Sequence, residues 1–260
     1  YSGHSWNDKV IVIDNRFISE RVNQLRNWNI EFVHGDILDK ELVKKYCHDA
    51  DIIHHLAGIT DVPRVKSEAS VEKEKEIKLV AEDGTQNVLD AINNNCKIIM
   101  PSTHVVYEGI KEVKKDILED EETSPILAYG KSKDFNEKQL KNSGKNFIIL
   151  RLGSVYGYST DTARIDIMAN FFSKTASQNG LLKLFGGGRQ LKSLVPLIDV
   201  ARCFKFMEEK ENIKNEIYNF TKDTITVKQV AEICKKYNPK IQLKETNDEI
   251  PNLGFSLSNK

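Results

Sequence analysis

Short runs of apolar residues alternate with amphipathic stretches over the first part of the chain. The apolar runs are nearly continuous and rich in Val and Ile, which is typical of strands in a parallel sheet that is buried on both faces. They cover residues 9–14, 31–34, 51–57, 97–101 and 146–152. Helical patterns cover residues 40–48, 71–94 and 128–142. This alternation predicts βαβ units with right-handed crossovers, and hence an α/β fold.

The pattern changes after residue 153. Helices are predicted at residues 164–178, 199–210 and 226–237, and short strands at residues 182–185, 193–198, 216–220 and 241–243. Asp199 stands at the start of the second of these helices, and Thr224 or Thr226 lies near the N-cap of the third. The charge-rich residues 111–122 predict a solvated loop.

The first apolar run, Val-Ile-Val-Ile-Asp, is typical of the second strand of a nucleotide-binding βαβ unit. A first strand and its glycine turn are expected before it, but Gly3 is the sole glycine ahead of Gly35. At the other end, Ser258-Asn-Lys stops where a further element is expected. We therefore expect the protein to extend beyond both ends of this sequence.

The charge balance argues against a nucleic-acid binder. Lysines and arginines number 38, as do aspartates and glutamates, whereas nucleic-acid-binding proteins usually carry a basic excess. No apolar stretch approaches the roughly 20 residues of a membrane helix, and residues 1–8 do not resemble a signal peptide. Four scattered cysteines without CxxC spacing predict reduced thiols in a cytoplasmic protein.

A metal site is not expected. His54 and His55 are adjacent and so point to opposite faces of a strand, where they cannot easily bind one metal ion together.

Tyr129 and Lys133 are the first candidates for chemistry. Residues four apart lie on one face of a helix, about one turn from each other. A lysine ammonium there favours the phenolate form of the tyrosine, as a general base for an alcohol proton requires. This spacing is common by chance, so an ordinary helix surface is the alternative interpretation of the pair alone.

The strand ending in Ser102 and Thr103 adds context to this pair. Ligands of open α/β sheets bind at the carboxyl ends of the strands, where Thr103 could hydrogen-bond a substrate hydroxyl. The alternative for Thr103 is a strand-end cap.

With these residues, the chain resembles the extended short-chain dehydrogenase/reductases that act on nucleotide sugars, from about residue 9 to the end. The resemblance rests on many motifs in the same order along the chain. They are Asp14, Gly35-Asp-Ile37, His55-Leu-Ala-Gly58, Gly84-Thr-Gln-Asn87, Thr103 before Tyr107 (with Glu108 inserted before Gly109), residues 119–125, Tyr129 with Lys133, residues 151–157 and residues 186–200. It implies a Rossmann-type, doubly wound parallel sheet with a smaller C-terminal lobe. Residues 1–153 would bind NAD(P), and residues 154–260 would mainly bind substrate, with some segments returning to the sheet.

The resemblance also implies a cofactor site. Asp14 would accept hydrogen bonds from the adenosine ribose and so favour NAD, while Arg16 keeps NADP possible. Asp36 and Ile37 would flank the adenine, and Ala57 and Gly58 would line the pyrophosphate path. Asn15 and Leu56 complete the implied cofactor-binding set.

The implied catalytic set is Thr103, Tyr129 and Lys133. Tyr129 would be the base, Lys133 would hold the nicotinamide ribose and tune Tyr129, and Thr103 would assist proton movement and contact substrate. Substrate contacts are further implied for Ser154, which replaces a usual Asn, and for Lys192, which replaces an Arg that meets the diphosphate. Asn170 is a substrate contact or an ordinary helix-surface residue.

Two departures from the family pattern reduce the number of reactions that the resemblance allows. The 4,6-dehydratases follow the catalytic Thr with Asp and Glu, and the decarboxylases also require the Glu. His104 and Val105 stand at these positions, and neither replaces a carboxylate acid or base. Dehydration and decarboxylation are therefore disfavoured.

We thus expect a NAD-dependent nucleotide-sugar epimerase that acts at C4 through a 4-keto sugar, in polysaccharide biosynthesis. The alternatives are an NADP-dependent reductase of a 4-keto-6-deoxy sugar nucleotide and a non-enzymatic dinucleotide-binding member. The resemblance further implies a homodimer formed through the helices at residues 71–94 and 128–142.

Overall fold

The computed structural model describes residues 8–60, 70–159, 164–248 and 254–259. Gly3, on which the expected glycine turn depends, lies outside these residues. The described chain forms two compact units, one from Tyr1–Met100 with Leu127–Phe147 and the other from Pro101–Ile126 with Ile148–Lys260. These units are defined by compactness, so the predicted functional division at residue 153 stays a prediction.

The first unit alternates strands and helices as the apolar pattern predicts. Its elements are β1 (Ile11–Asp14), α1 (Ser19–Asn27), β2 (Glu31–His34), α2 (Lys40–Cys47), β3 (Ile52–His54), α3 (Val71–Leu79), α4 (Thr85–Ala91), the start of β4 (Lys97–Thr103) and α5 (Ala128–Asn142). β1 pairs in parallel with β2, and β3 pairs in parallel with β4. Parallel neighbours need a crossover connection, and a helix supplies it in both cases. The predicted parallel α/β arrangement is confirmed.

The long helix predicted at residues 71–94 is interrupted. Val80–Gly84 is a π-helical segment between α3 and α4, and α4 ends at Ala91. A methyl group added at Gly84 would lie 2.7 Å from Ile37 Cγ2, so the glycine leaves room for Ile37 beside this segment. No strong apolar pattern marks α1, which buries only Val22, and the sequence analysis therefore missed it.

The strands of the first unit differ in burial. Ile98 and Ile99 of β4 are almost fully buried, as expected for a strand covered on both faces. All four residues of β1 are partly exposed, and Ile52 of β3 is exposed. Among the described residues, β1 pairs with β2 alone.

The second unit contains smaller sheets. Its elements are β5 (Lys114–Ile117), β6 (Asn146–Leu152, from its third residue), β7 (Ser154–Tyr156), α6 (Met168–Ser177), β8 (Leu181–Leu184), β9 (Leu191–Pro196), α7 (Leu197–Glu209), β10 (Glu216–Phe220), β11 (Asp223–Thr226), α8 (Val227–Tyr237), β12 (Gln242–Glu245) and β13 (Phe255–Leu257). β6 pairs with β10, β8 with β12 and β5 with β13, all in parallel. β9 lies between parallel β7 and antiparallel β11. Helices α6 and α8 cover β8, around buried Phe172, Leu182 and Ala231.

Two predictions about this unit were wrong in detail. Residues 111–122 are not wholly a loop, because β5 lies within them. Its first three residues are charged and only Ile117 is buried, so the apolar signal of a strand is missing, and its partner β13 is far away in sequence. α7 begins at Leu197, two residues before the predicted start, so Asp199 lies in its first turn.

The predicted cap of α8 is confirmed for Thr226, which accepts a hydrogen bond from Gln229 N at 3.2 Å. The short strands β7, β11 and β13 were also missed.

No helix among the described residues is long and apolar enough to cross a lipid bilayer.

The glycine run after β8 gives a matched test of this unit. Gly187 and Gly188 have φ of +70° and +67°, where an L side chain costs about 1–2 kcal/mol. A methyl group at Gly187 would meet nothing closer than Glu245 Oε2 at 3.6 Å, but one at Gly188 would lie 2.9 Å from Lys228 N. We expect Gly187→Ala to lower the free energy of unfolding by about 1–2 kcal/mol and Gly188→Ala by about 2–4 kcal/mol. Urea denaturation measures both, and equal losses would contradict the packing at Gly188.

Candidate cofactor and catalytic site

The carboxyl ends of β1 and β2 bring together residues predicted to bind the cofactor. Asp14 pairs with His34 in the register of the two strands. Immediately beyond, Asn15 Nδ2 donates a hydrogen bond to Asp36 Oδ2 at 3.1 Å, and His34 Nε2 donates to the carbonyl oxygen of Asn15 at 3.0 Å. Parallel strands end at the same edge of a sheet, so residues 21 positions apart become neighbours.

Asp14 is a partly exposed acceptor at this edge. Its Oδ1 accepts a hydrogen bond from Arg16 N at 2.8 Å, and Arg16 Nε lies 4.0 Å from the same oxygen. The backbone contact holds the carboxylate in a local turn. A carboxylate so placed is suited to accept hydrogen bonds from ribose hydroxyls, and the adjacent guanidinium is suited to an anion.

The loop after β2 is held from both sides. Asp36 Oδ1 accepts from Leu38 N at 2.9 Å, and Asn87 Nδ2 on α4 donates to the carbonyl oxygen of Ile37 at 3.1 Å. Gly84 leaves the room that the Ile37 side chain fills. The motif residues Gly84 and Asn87 thus fix the position of Ile37, a role that their spacing alone did not reveal.

Leu56, Ala57 and Gly58 follow β3 and are all exposed, with Leu56 at 61%. Small side chains at Ala57 and Gly58 allow a ligand to approach the backbone closely. The preceding residue, His55, is buried and lies on the inner side of this loop.

Helix α5 carries Tyr129 and Lys133, and it brings Lys133 to the same loop. Tyr129 is partly exposed in the first turn, and Lys133 is 7% exposed one turn later. A methyl group added at Gly58 would lie 3.9 Å from Lys133 Nζ. Burial lowers the pKa of Lys133 to about 8, although the Glu137 carboxylate opposes that shift. The structure therefore brings Lys133 of the predicted catalytic pair against Gly58 of the predicted pyrophosphate path.

A buried polar network lies beside Lys133. His55 Nε2 lies 2.8 Å from Thr85 Oγ1, and Asn136 Nδ2 donates to that oxygen at 3.0 Å and to the Ala81 carbonyl at 2.8 Å. Burial, and then the Lys133 charge, lower the pKa of His55 to about 3. His55 is therefore neutral near pH 7. The network ties α5 to the π-helical segment and to the loop after β3.

Thr103 and His104 lie at the end of β4, in the second unit. Thr103 Oγ1 accepts from Val105 N at 3.2 Å, which is the strand-end cap considered as the alternative, although its hydroxyl proton is still available to a ligand. His104 Nδ1 lies 3.0 Å from the Leu152 carbonyl oxygen. A carbonyl oxygen only accepts, so Nδ1 carries the proton and Nε2 is an acceptor. Burial, and then the Lys192 charge, lower the pKa of His104 to about 4.

The predicted substrate residues are all in the second unit. Ser154 on β7 is in register with Leu194 on β9, which also carries Lys192. Burial lowers the pKa of Lys192, while the Glu108 carboxylate opposes that shift. Asn170 has structural partners instead, because its Oδ1 accepts from Gly157 N at 3.1 Å and its Nδ2 donates to the Arg164 carbonyl at 3.0 Å. Elsewhere in this unit, Glu245 pairs with Lys228 at 2.6 Å.

The sequence analysis did not predict that two further residues, His55 and Glu137, lie near the predicted catalytic pair. His55 was noted only as part of a motif and as an improbable metal ligand. Glu137 lies one turn beyond Lys133 and is 1% exposed. Extending the four-residue spacing of Tyr129 and Lys133 by one more step would have found it.

The residues at the ends of β1, β2 and β3 and on α5 fit a dinucleotide. They supply a partly exposed carboxylate for ribose hydroxyls at Asp14, small residues for a pyrophosphate at Ala57 and Gly58, and a buried cation at Lys133. Each group has the chemistry that the corresponding part of NAD requires.

Comparisons of sequence find nucleotide-sugar epimerases among the relatives of this chain. Over 238 residues the chain is 27% identical to a CDP-paratose 2-epimerase of Salmonella typhi, covering 80% of this chain and 68% of the relative. It is 28% identical over 244 residues to a putative UDP-glucose 4-epimerase of Methanocaldococcus jannaschii, covering 88% and 74%.

Solved structures share the fold. A UDP-glucose 4-epimerase of Thermotoga maritima, solved with UDP-glucose, aligns with a TM-score of 0.77 at 23% identity, over 96% of this chain and 82% of its own. A dTDP-glucose 4,6-dehydratase of Streptomyces venezuelae, solved with NAD, aligns with a TM-score of 0.77 at 21% identity, over 97% and 79%. Epimerase and dehydratase match equally well, so these two likenesses establish the Rossmann-type fold but do not separate the reactions.

Residues 4–220 match the family described as the NAD-dependent epimerase/dehydratase family. This match spans most of the chain and agrees with the predicted family, fold and cofactor. The chain therefore belongs to the NAD-dependent epimerase/dehydratase family.

Proposed function

We propose that this protein is a NAD-dependent nucleotide-sugar epimerase that acts at C4 of a hexose. The observation that carries the proposal is the placement of Lys133 Nζ against Gly58, one helical turn after Tyr129. This arrangement joins a candidate base to a candidate cofactor path. The epimerases among the relatives support the reaction class.

The proposed cofactor contacts come from three loop regions and α5. Asp14 and Asn15 would bind the adenosine ribose, Asp36 and Ile37 the adenine, and Leu56, Ala57 and Gly58 the pyrophosphate. Lys133 would bind the nicotinamide ribose. Bound NAD supplies reversible two-electron oxidation at the sugar carbon, so that the overall reaction has no net redox change.

The proposed proton transfer is carried by Tyr129. Its phenolate would take the proton of the sugar C4 hydroxyl while hydride passes from C4 to NAD. After the 4-keto sugar has rotated in the site, hydride would return to the other face of C4 and Tyr129 would return the proton. The Lys133 ammonium stabilises the phenolate by opposite charge. Thr103 would hydrogen-bond the same hydroxyl and assist the transfer.

His104 argues against dehydration on physical grounds. A dehydratase needs an acid at this position to protonate a leaving hydroxyl. With Nδ1–H bound to the Leu152 carbonyl and a pKa lowered to about 4, mainly by burial, His104 has no proton on Nε2 to give near pH 7. Val105 has no ionisable group at all.

The proposed substrate is a nucleoside diphosphate sugar, with Lys192 and Ser154 as contacts. Lys192 offers a point charge to a diphosphate, although it lacks the bidentate geometry of arginine. Solved relatives contain UDP-glucose and UDP-glucuronic acid. Asn170 would contact substrate only in addition to the two backbone groups that its amide already bridges. A homodimer, a cytoplasmic location and a role in polysaccharide biosynthesis also remain predictions.

A reductase is the second candidate, and Arg16 is the observation that favours it. Its guanidinium lies beside Asp14, where it could meet the 2′-phosphate of NADP. A dTDP-4-dehydrorhamnose reductase of Sinorhizobium fredii is 33% identical, but over only 46% of this chain.

Replacement of the proposed base tests the function. We expect Tyr129→Phe to lower kcat for epimerisation of UDP-glucose or UDP-glucuronic acid by about 10²–10⁴-fold, because it removes the acid–base group. NAD binding and thermal unfolding should change little, since Tyr129 is only partly buried. Near-normal turnover in this variant would refute the assignment. Net consumption of NADPH with a 4-keto sugar nucleotide by the unaltered protein would instead identify a reductase.

Replacement of Asp14 tests the cofactor. We expect Asp14→Ala to weaken NAD binding about 10–100-fold, because the ribose hydroxyls lose a charged acceptor, and to leave NADP binding nearly unchanged. Asp14→Asn keeps an acceptor for Arg16 N and serves as the control for the local turn. Titration calorimetry with both dinucleotides measures the ratio. An unchanged NAD affinity in Asp14→Ala would remove Asp14 from the site.

A further inference from the structure

Helix α5 buries an unusual group of polar side chains behind its exposed first turn. Lys133, Asn136 and Glu137 are 7%, 4% and 1% exposed. Lysine and glutamate are almost never fully buried unless they are paired, because water solvates their charges far better than a protein interior does. Such a group needs a reason in the local electrostatics.

The spacing along α5 supplies a reason. Tyr129, Lys133 and Glu137 follow one another at intervals of four residues, so their side chains share one face of the helix. Tyr129 lies at the partly exposed end and Glu137 at the fully buried end, with Lys133 between them. The ammonium therefore has the phenol on one side and a buried carboxylate on the other.

We propose that Glu137 is a positioning residue for the catalytic pair, whose carboxylate keeps the Lys133 ammonium charged and holds it against Gly58. The proposal rests on the proposed function only for the catalytic consequence. The electrostatic pairing itself does not depend on which reaction the protein performs.

Among the residues that the structure describes, other ionisable groups around α5 do not replace Glu137. His55, which faces Lys133 from the loop after β3, has its pKa lowered to about 3 mainly by burial, and it brings no negative charge in any protonation state. On α5, Asp134 pairs with Lys138 at 2.6 Å.

Within the described part of the chain, the helical segments that pack against α5 present no competing buried charge. Glu82 of the π-helical segment lies 3.9 Å from Lys78, and its neighbour Asp83 is exposed. Asp90 of α4 pairs with Lys40 at 3.2 Å. The charged residues of α3 are exposed except for half-buried Lys73, which pairs with Glu76 at 2.9 Å.

The direction of the effect follows from these charges. Burial lowers the pKa of Lys133 to about 8, and the Glu137 carboxylate limits that fall. Without the carboxylate, the pKa of Lys133 falls further and the ammonium is lost at a lower pH. Tyr129 then loses the cation that favours its phenolate, so activity fails at a lower pH on the alkaline side.

The test is a direct titration of Lys133 by NMR of the full chain with ¹³C,¹⁵N-labelled lysine. The resonance that disappears in Lys133→Arg identifies the side chain. We expect its midpoint to fall by about one pH unit or more in Glu137→Gln, as for loss of an opposite charge nearby. Asp134→Asn is the matched control, because it removes a buried carboxylate from the same helix, and its midpoint should stay in place. Equal midpoints in Glu137→Gln and the unaltered protein would overturn the proposal.

A stability cycle covers the case in which Glu137→Gln folds poorly. If the loss arises from an unpaired buried ammonium, Lys133→Met combined with Glu137→Gln regains stability relative to Glu137→Gln alone. A double variant no more stable than Glu137→Gln would contradict the pairing. The pH dependence of kcat separates the two proposals. An active epimerase with an unchanged alkaline limb in Glu137→Gln refutes the role of Glu137, whereas a shifted NMR midpoint without epimerase activity refutes the proposed function alone.

Discussion

Parallel strand pairing is the constraint on which the candidate cofactor site depends. A chain that pairs β1 with β2 and β3 with β4 in parallel must return through a helix each time. The carboxyl ends of paired strands then share an edge, and the residue after each strand is a candidate for ligand binding. Asn15 and Asp36 meet in this way at 3.1 Å. The pairing of β1 with β2 is therefore sufficient to bring the residues of this hydrogen bond together.

Much of the fold could be predicted because parallel strands have a strong local signal. β2, β6, β10 and α5 match their predicted bounds, since continuous apolar runs and a helical period are visible within a few residues. β5 could not be predicted, because its partner β13 is more than 100 residues away in the chain and its own residues are mainly charged. The π-helical segment depends on the packing of Gly84 against Ile37, which are also far apart in sequence.

In the candidate site too, some features could be predicted from local sequence and others depend on tertiary packing. Spacing alone suggested Tyr129 and Lys133, but spacing does not show burial. Only the structure reveals that Glu137 is buried behind them and that Gly58 lies beside Lys133 Nζ. Asn170 illustrates the reverse case, because an amide at a plausible position is already bonded to the backbone at both ends. Candidate residues taken from a motif therefore need their hydrogen-bond partners examined before they are given a role.

The protonation states of the buried groups fit a reversible reaction better than an elimination. His55 and His104 both have a pKa well below 6.5, mainly because burial disfavours their charged forms, so neither is an acid near pH 7. Lys133 remains largely protonated there, because its pKa of about 8 lies above that pH. In the first unit, a buried cation at Lys133 one helical turn from the phenol of Tyr129 suits the uptake and return of a single hydroxyl proton. Elimination of water needs a further acid, and in the second unit neither residue after Thr103 is one, because His104 has its pKa lowered to about 4 and Val105 has no ionisable group. Similarity of fold does not separate an epimerase from a dehydratase, because one fold hosts several reactions and the side chains of the site decide among them.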